Sequence, residues 1–99
     1  LNKMKKSAIL LNLGRGPIVN ENDLAYALKN DIIAAAGLDV LTREPMTKDN
    51  PLFDIKDSRK LLITPHMAWG SVEARRRLME EVCKNIEAYI NGKERNVVR

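Results

Sequence analysis

The stretch SAILLNLGRGP, residues 7–17, joins an apolar run to a sharp break in the chain. Residues 7–13 are apolar at nearly every position instead of alternating, which is the pattern of a parallel β-strand covered on both faces. Gly14, Gly16 and Pro17 then end the strand, because glycine permits unusual backbone angles and proline lacks a backbone donor. The stretch therefore predicts one strand of a parallel sheet, as found in α/β folds.

The segments that follow predict the rest of this layer. Asn20 is the expected N-cap of a helix that ends near Asn30. Apolar runs predict strands over Ile33–Val40 and Leu61–Thr64, and the Pro-containing residues 41–60 between them predict a loop. Strands joined by helical or long crossovers run parallel. The order strand, helix, strand, loop, strand, helix thus predicts part of an α/β layer.

The last predicted helix starts after Ser71 and ends at Asn91 and Gly92. Apolar side chains form one stripe along it at helical spacing: Val72, Met79, Val82, Cys83, Ile86 and Ile90. Such a stripe is typical of a helix face that packs on a core. We therefore expect Cys83 to be buried as a small apolar side chain.

Length, composition and charge narrow the function classes. The 99 residues fit one domain, and 44% hydrophobic with 30% charged residues is an ordinary globular balance. A net charge of +4 is too mild for a dedicated nucleic-acid binder. One cysteine and one histidine exclude an internal disulfide and a Cys/His zinc site, so no metal is expected. The charge-free stretches are too short to span a membrane, and no signal peptide is evident, so the expected location is cytoplasmic.

Four polar side chains follow the predicted strands at the same end. Arg15 follows the first strand, and Asp39 lies at the end of the second. Glu44 comes in the next loop, and His66 follows the third strand. Because parallel α/β sheets bind ligands beyond the carboxyl ends of their strands, we expect these side chains to meet at one edge.

Together these groups suit one reaction. The Arg15 guanidinium can hold a carboxylate through two parallel hydrogen bonds. His66 is a candidate general acid and base, and Glu44 can orient its ring and favour the protonated form. A carboxylate clamp beside a proton donor is what reduction of a 2-oxo acid requires, although the hydride must come from a cofactor.

Each of these side chains also has a structural explanation. A single histidine after proline is more often structural or exposed than catalytic, and Arg15 can simply lie on the surface. Glu44 can start a turn at Pro45, and Asp39 can cap a backbone amide. The run Arg75–Arg77 is most simply a solvated helix face.

Several segments, in this order and at this spacing, resemble the D-isomer-specific 2-hydroxyacid dehydrogenase family: residues 10–21, 35–40, 43–45, 50–52 and 63–66. The resemblance covers nearly the whole chain. Residues 66–69, followed by 73–75, are most similar to the glycerate dehydrogenase, or hydroxypyruvate reductase, branch. Formate dehydrogenases of the same fold are expected to have Gln in place of Glu44, so the Glu favours a hydroxyacid.

The resemblance implies a role for each matched residue. Arg15 matches the arginine that binds the substrate carboxylate and carbonyl, His66 the acid/base, and Glu44 its carboxylate partner. The implied cofactor is NAD or NADP, and the cofactor-binding positions are Leu13, Gly14, Arg15, Asp39, His66 and Gly70, with Trp69 beside them. The implied substrate is a small 2-oxo or 2-hydroxy acid of the hydroxypyruvate/glycerate or glyoxylate type.

The resemblance also implies a larger protein. Gly14 and Gly16 do not form the Gly-x-Gly-x-x-Gly dinucleotide fingerprint, and the chain begins with Leu1 close to its first strand. We therefore interpret residues 1–99 as the C-terminal part of a Rossmann-type, parallel three-layer NAD(P)-binding domain. The first half of that domain and the substrate domain are expected elsewhere, and residues 92–99 start the return to the substrate domain.

Further expectations concern partners and activity. The full-length protein is expected to be an NAD(P)-dependent oxidoreductase and a homodimer, with no nucleic-acid or membrane partner. The isolated chain is expected to be inactive and to self-associate through uncovered apolar surface. The alternative is a non-enzymatic α/β interaction module, like the corepressors that share this fold, in which Arg15, Glu44 and His66 would lie on different surfaces.

Overall fold

The computed structural model describes residues 1–98, which form two compact units, residues 1–67 and a second unit that begins at Ala68. A short 3-10 helix lies at Gly16–Ile18. The other elements of the first unit are β1 (Ile9–Asn12), α1 (Glu21–Lys29), β2 (Ala35–Leu38) and β3 (Leu61–Ile63). The second unit contains α2 (Val72–Ile90). Within residues 1–98, no helix combines the length and apolar character needed to cross a membrane.

The three strands form a parallel sheet in the order β1-β2-β3. Ile9 is paired with Ala35, and Leu38 is paired with Ile63. The α1 helix connects β1 to β2, whereas a long loop connects β2 to β3. The predicted α/β fold with a parallel sheet is confirmed.

The α1 helix supplies much of the core of the first unit. Its N-cap is Asn20, as predicted, because the Asn20 side chain accepts hydrogen bonds from the backbone N–H groups of Asn22 (3.0 Å) and Asp23 (3.1 Å). The residues on its inner face are at most 4% exposed. They pack in one cluster with residues of the sheet and loops: Leu24, Ala25, Ala27, Leu28, Ile33, Ala36, Leu38, Leu41 and Leu52.

On the other face of the sheet, large apolar side chains of the first unit are exposed in the described part of the chain. Ile9 and Leu11 in β1 are 63% and 68% exposed, and Leu62 in β3 is 61% exposed. The prediction that the first strand is covered on both faces is therefore wrong for the described residues. The apolar run correctly predicts a parallel strand, but α1 packs on one face only.

The strands are also shorter than predicted. Ile33 and Val40, at the ends of the predicted second strand, are 1% and 2% exposed but lie outside β2. The apolar character of these two residues therefore indicates that they are buried, and not that they belong to a paired strand. Backbone bonds nevertheless continue past the strand ends, because Asp39 N donates to Asn12 O and Thr64 N donates to Leu38 O, both at 2.9 Å.

The long loop over residues 41–60 lacks regular structure beyond turns, as expected. It has a turn at residues 51–54. Leu52 in this turn is 1% exposed and joins the core, and its N–H donates to the Asn50 side chain at 2.9 Å. The loop is therefore anchored to the core near its middle.

The second unit is built around α2. The Ser71 side chain accepts a hydrogen bond from Ala74 N at 3.1 Å, and Gly92 adopts a φ of +64° after the helix, so both predicted ends are confirmed. No residue of α2 is buried, and Cys83 is exposed. The prediction of a buried Cys83 is wrong, because an apolar stripe shows that a helix is amphipathic but not that another element covers it.

The segment after α2 is held by polar contacts. Arg95 contacts the side chains of Glu81 and Asn85, and the Asn96 side chain donates to Asn85 at 3.1 Å. These bonds fix the start of the predicted return segment against the helix. Residue 99, the end of that segment, lies outside the described residues.

Candidate active site

The first part of the candidate site is the loop after β1, and the Asn12 side chain holds the backbone of this loop by two hydrogen bonds. Its side-chain amide donates to Arg15 O at 2.9 Å, and its side-chain oxygen accepts from Gly14 N at 3.2 Å. Asn12 is only 5% exposed, so these two bonds satisfy a buried polar group. Sequence reasoning missed this residue, although a single polar side chain at the end of an apolar strand was a usable signal.

Arg15 projects from this loop. Its Nη1 donates to the carbonyl oxygen of Gly14 at 2.8 Å, and the side chain is otherwise exposed. One backbone contact of this kind orients a guanidinium but engages only one of its five N–H donors.

Gly16 packs against the segment that follows β2. A Cβ built on Gly16 would lie 2.1 Å from the carbonyl carbon and oxygen of Leu41 and 2.4 Å from Thr42 N. Real side chains do not approach backbone atoms so closely, so only glycine fits here. The backbone that carries Arg15 and the backbone that leads to Glu44 are therefore in direct contact.

Asp39 holds the turn that carries His66. Its Oδ1 accepts from the Thr64 hydroxyl at 2.6 Å and from Met67 N at 2.9 Å, on either side of His66. Asp39 is 2% exposed. His66 itself has a φ of +52°, which is unusual for a residue other than glycine, and the two bonds to Asp39 fix the backbone around it.

Glu44 and His66 form a hydrogen-bonded pair. Glu44 Oε2 lies 2.9 Å from His66 Nδ1, and both side chains are 39% exposed. Glu44 Oε1 accepts from Leu41 N at 2.9 Å. The Leu41 bond and then the bond to His66 lower the pKa of Glu44, although the negative charge of Asp39 acts in the opposite direction. An ionised Glu44 can only accept a hydrogen bond, so the contact requires the hydrogen to lie on His66 Nδ1.

Two adjoining cavities share this pair. One, of about 280 Å³, is lined by Arg15 and Gly16 together with Glu44 and His66. The other, of about 380 Å³, is lined by Asp39, Glu44 and His66 with apolar side chains around them. The structure thus brings together the three predicted catalytic residues around one cavity, and Asp39 lies beside them.

The remaining predicted cofactor-binding residues are placed differently. Leu13 is 61% exposed, and Gly14 lies in the same loop as Arg15. Gly70 and its neighbour Trp69 belong to the second unit, where both are exposed. Among residues 1–98, no three His, Cys, Asp or Glu side chains cluster in a way that would hold a metal ion.

Comparison with a family model gives a match over residues 1–68, to the D-isomer specific 2-hydroxyacid dehydrogenase, NAD binding domain. The chain is 46% identical over 96 residues to a hydroxypyruvate reductase of Blautia hydrogenotrophica, covering 97% of this chain and 29% of that protein. It is 47% identical over 98 residues to a glycerate dehydrogenase of Methylorubrum extorquens, covering 99% of this chain and 31% of that protein. The chain thus spans about a third of the length of these relatives.

Two solved structures, in complex with NADPH or NADP, match most or all of the chain. An acyclic imino acid reductase in complex with NADPH and D-Arg matches with a TM-score of 0.73 and 40% identity, over 100% of this chain and 30% of that one. The NADPH-dependent glyoxylate/hydroxypyruvate reductase of Sinorhizobium meliloti, in complex with NADP and malonate, matches with a TM-score of 0.61 and 35% identity, over 86% and 25% of the two chains.

Proposed function

The chain belongs to the D-isomer-specific 2-hydroxyacid dehydrogenase family, through its NAD-binding domain, and we propose that the full-length protein transfers hydride between NAD(P)H and a small 2-oxo or 2-hydroxy acid. The observation that carries this proposal is the cavity lined by Arg15, Glu44 and His66. The alternative of a non-enzymatic module is not favoured, because it predicts these residues on separate surfaces.

Arg15 is proposed to bind the substrate. Its exposed guanidinium can donate two hydrogen bonds to a carboxylate while Nη1 stays oriented by Gly14 O. The positive charge also polarises a neighbouring carbonyl oxygen, which makes the carbonyl carbon a better hydride acceptor. Arg15 thus selects an acid and activates it.

His66 is proposed to move the proton. In the direction of reduction, Nε2 donates a proton to the carbonyl oxygen as the alcohol forms, and in oxidation Nε2 removes it. The Glu44 carboxylate keeps the hydrogen on Nδ1 and stabilises the positively charged ring. The buried Asp39 fixes the backbone on both sides of His66.

The described residues fit the nicotinamide end of the cofactor. The carboxyl edge of the sheet offers a loop with little side-chain bulk at Gly14 and Gly16, next to cavities with apolar walls. When bound, the nicotinamide supplies the hydride that no side chain can supply. We propose that Leu13, Gly14, Arg15, Asp39, His66 and Gly70 border it, and the choice between NAD and NADP stays open.

The substrate and the domain organisation are proposed from the relatives. Similar proteins include hydroxypyruvate, glycerate and glyoxylate enzymes, which favours hydroxypyruvate/glycerate or glyoxylate as substrate. We propose that residues 1–99 form the C-terminal part of the cofactor domain and that residues 92–99 lead to the substrate domain. The full-length protein is proposed to be a cytoplasmic homodimer.

The proposed reaction is tested with the full-length enzyme and its His66→Ala variant. With hydroxypyruvate or glyoxylate and NADH or NADPH, the variant is expected to lose about 10²–10⁴-fold in kcat, the usual contribution of a general acid. Binding of the reduced cofactor that supports turnover, NADH or NADPH, is measured by nicotinamide fluorescence and is expected to weaken far less. Turnover close to that of the wild type would overturn the assignment of His66.

A further inference from the structure

Glu21, the first residue of α1, binds the long loop through both of its carboxylate oxygens. Oε1 accepts from Thr42 N at 2.7 Å, and Oε2 accepts from the Asn50 side-chain amide at 2.9 Å. An acid in the first turn of a helix is ordinarily explained by the helix dipole alone. Here, in addition, one carboxylate joins two points of the chain that lie 21 and 29 residues away.

The bond to Thr42 lies next to the candidate site. Thr42 follows Leu41, whose N–H donates to Glu44 Oε1 at 2.9 Å. The other oxygen of Glu44 contacts His66. Three hydrogen bonds therefore connect the start of α1 to the imidazole ring, and the peptide bond between Leu41 and Thr42 links the first to the second.

The bond to Asn50 anchors the other end of the same segment. The Asn50 side-chain oxygen accepts from Leu52 N at 2.9 Å, and Leu52 is 1% exposed in the core. Residues 42–50 contain neither helix nor strand. Glu21 thus ties both ends of an irregular segment to a rigid helix, with charge-assisted hydrogen bonds.

We propose that Glu21 is a positioning residue that sets the geometry of the Glu44–His66 pair by holding residues 42–50 at both ends. It acts through Glu44 and does not itself touch substrate or cofactor. The catalytic meaning of this inference rests on the proposed function.

The donors and acceptors around Glu21 allow a rescue experiment. In Glu21→Gln, the new amide group faces the amide group of Asn50, whose oxygen is already bound to Leu52 N, so one bond is lost. In Asn50→Asp, two carboxylates face each other. In the double variant, the amide donates to the new carboxylate and all three hydrogen bonds can form again.

In the full-length enzyme, each single variant is expected to lower kcat with hydroxypyruvate about tenfold, whereas KM changes less than about threefold. The double variant is expected to recover to within about threefold of the wild type. The bond from Leu41 N–H lowers the pKa of Glu44. Displacement of residues 42–50 in the single variants is expected to weaken that bond and so raise the pKa of Glu44. The acid limb of the pH profile of kcat/KM therefore moves to higher pH. Asp23→Asn, which removes another first-turn acid of α1, is the control and stays within about twofold.

A second readout separates this inference from the proposed function. His66 is the only histidine of the 99 residues, so its ring resonances can be assigned directly by NMR of the 99-residue chain. Both single variants are expected to shift these resonances, and the double variant to restore them, whatever the turnover. Single variants with wild-type resonances, kcat and pH profile would overturn the role of Glu21, as would a double variant no better than the singles.

Discussion

The two α-helices share the same sequence pattern but differ in how much of their apolar face is buried. Both α1 and α2 are amphipathic, and each begins at a side-chain N-cap, Asn20 and Ser71. The α1 helix buries four residues, whereas α2 buries none. The periodicity of a sequence therefore predicts that a helix has an apolar face, and only the tertiary structure shows whether that face is covered.

The hydrogen bonds of the two units differ in the same way. In the first unit, side chains far apart in sequence meet, as Asp39 does with Thr64 and Glu44 with His66. In the second unit, the side-chain bonds of Ser71, Glu81, Asn85, Asn91 and Arg95 described here join residues within 14 positions of one another. The proposed chemistry lies where long-range bonds can hold groups in fixed positions.

The largest expected difference between the helices is in stability. Leu24 in α1 is 0% exposed and Met79 in α2 is 61% exposed. In the 99-residue chain, Leu24→Ala is expected to lower the free energy of unfolding by about 2–5 kcal/mol, through lost burial and a cavity. Met79→Ala is expected to change it by less than about 0.5 kcal/mol. Urea unfolding followed by circular dichroism measures both, and equal losses would contradict the contrast.

A second prediction concerns two glycines of one loop. Gly16→Ala forces a methyl group onto the backbone of Leu41 and is expected to cost about 2–4 kcal/mol, at the upper end of overpacking. Gly14→Ala is the matched control, because its Cβ would meet side chains and not backbone, namely the end of Ile18 at 3.3 Å and the Asn12 oxygen at 3.7 Å. Its expected cost is below about 1 kcal/mol. Similar unfolding midpoints for the two variants would show that the loop can move away from Leu41.

A third prediction compares arginines of the two units. In the full-length enzyme, Arg15→Lys is expected to reduce kcat/KM for hydroxypyruvate about 30–100-fold, because an ammonium group cannot form the two parallel bonds of a guanidinium. Arg77→Lys in α2 keeps the charge on an exposed helix face and is expected to stay within about twofold. Steady-state kinetics decide the matter, and equal effects at both positions would remove the special role of Arg15.

The smallest expected effect is the pH dependence of stability. The pKa of Glu44 is lowered from 4.5 by Leu41 N–H and His66, and that of Glu81 in the second unit is lowered by Arg95 and Lys84. A lowered folded pKa stabilises the fold above the unfolded value, and this contribution is lost as pH falls through the folded value.

The Tm of the 99-residue chain is therefore expected to decline as the pH falls below about 4.5. Glu44→Gln and Glu81→Gln should each make that decline shallower, by a small amount because both carboxylates are exposed. Thermal unfolding at a series of pH values tests this. A decline with the same slope in both variants would assign it to other carboxylates.

Much of the fold could be predicted because it depends on local patterns. The N-caps at Asn20 and Ser71 and the Gly92 end of α2 follow from residue type and position. The juxtaposition of Arg15, Glu44 and His66 follows from a general rule, namely that the carboxyl ends of parallel strands lie at one edge.

Other features could not be predicted because they depend on contacts between distant residues. Nothing local marks Glu21 as a partner of Asn50, or Gly16 as a neighbour of Leu41. The exposure of Cys83 likewise depends on what covers α2 and not on α2 itself. The strands are predicted too long because apolar residues continue past the segment that pairs with a neighbouring strand.

The direct backbone contact between Gly16 and Leu41 also affects how segments of different family members can be joined. The hydrogen bonds described above that fix Arg15, Asp39, Glu44 and His66 all start and end within residues 12–67. A chimera of two family members with its junction outside this interval inherits the whole arrangement from one parent. With a junction between residues 16 and 41, the two backbone segments in contact come from different parents. The positions of Arg15, the proposed substrate-binding cation, and His66, the proposed proton donor, would then no longer be matched.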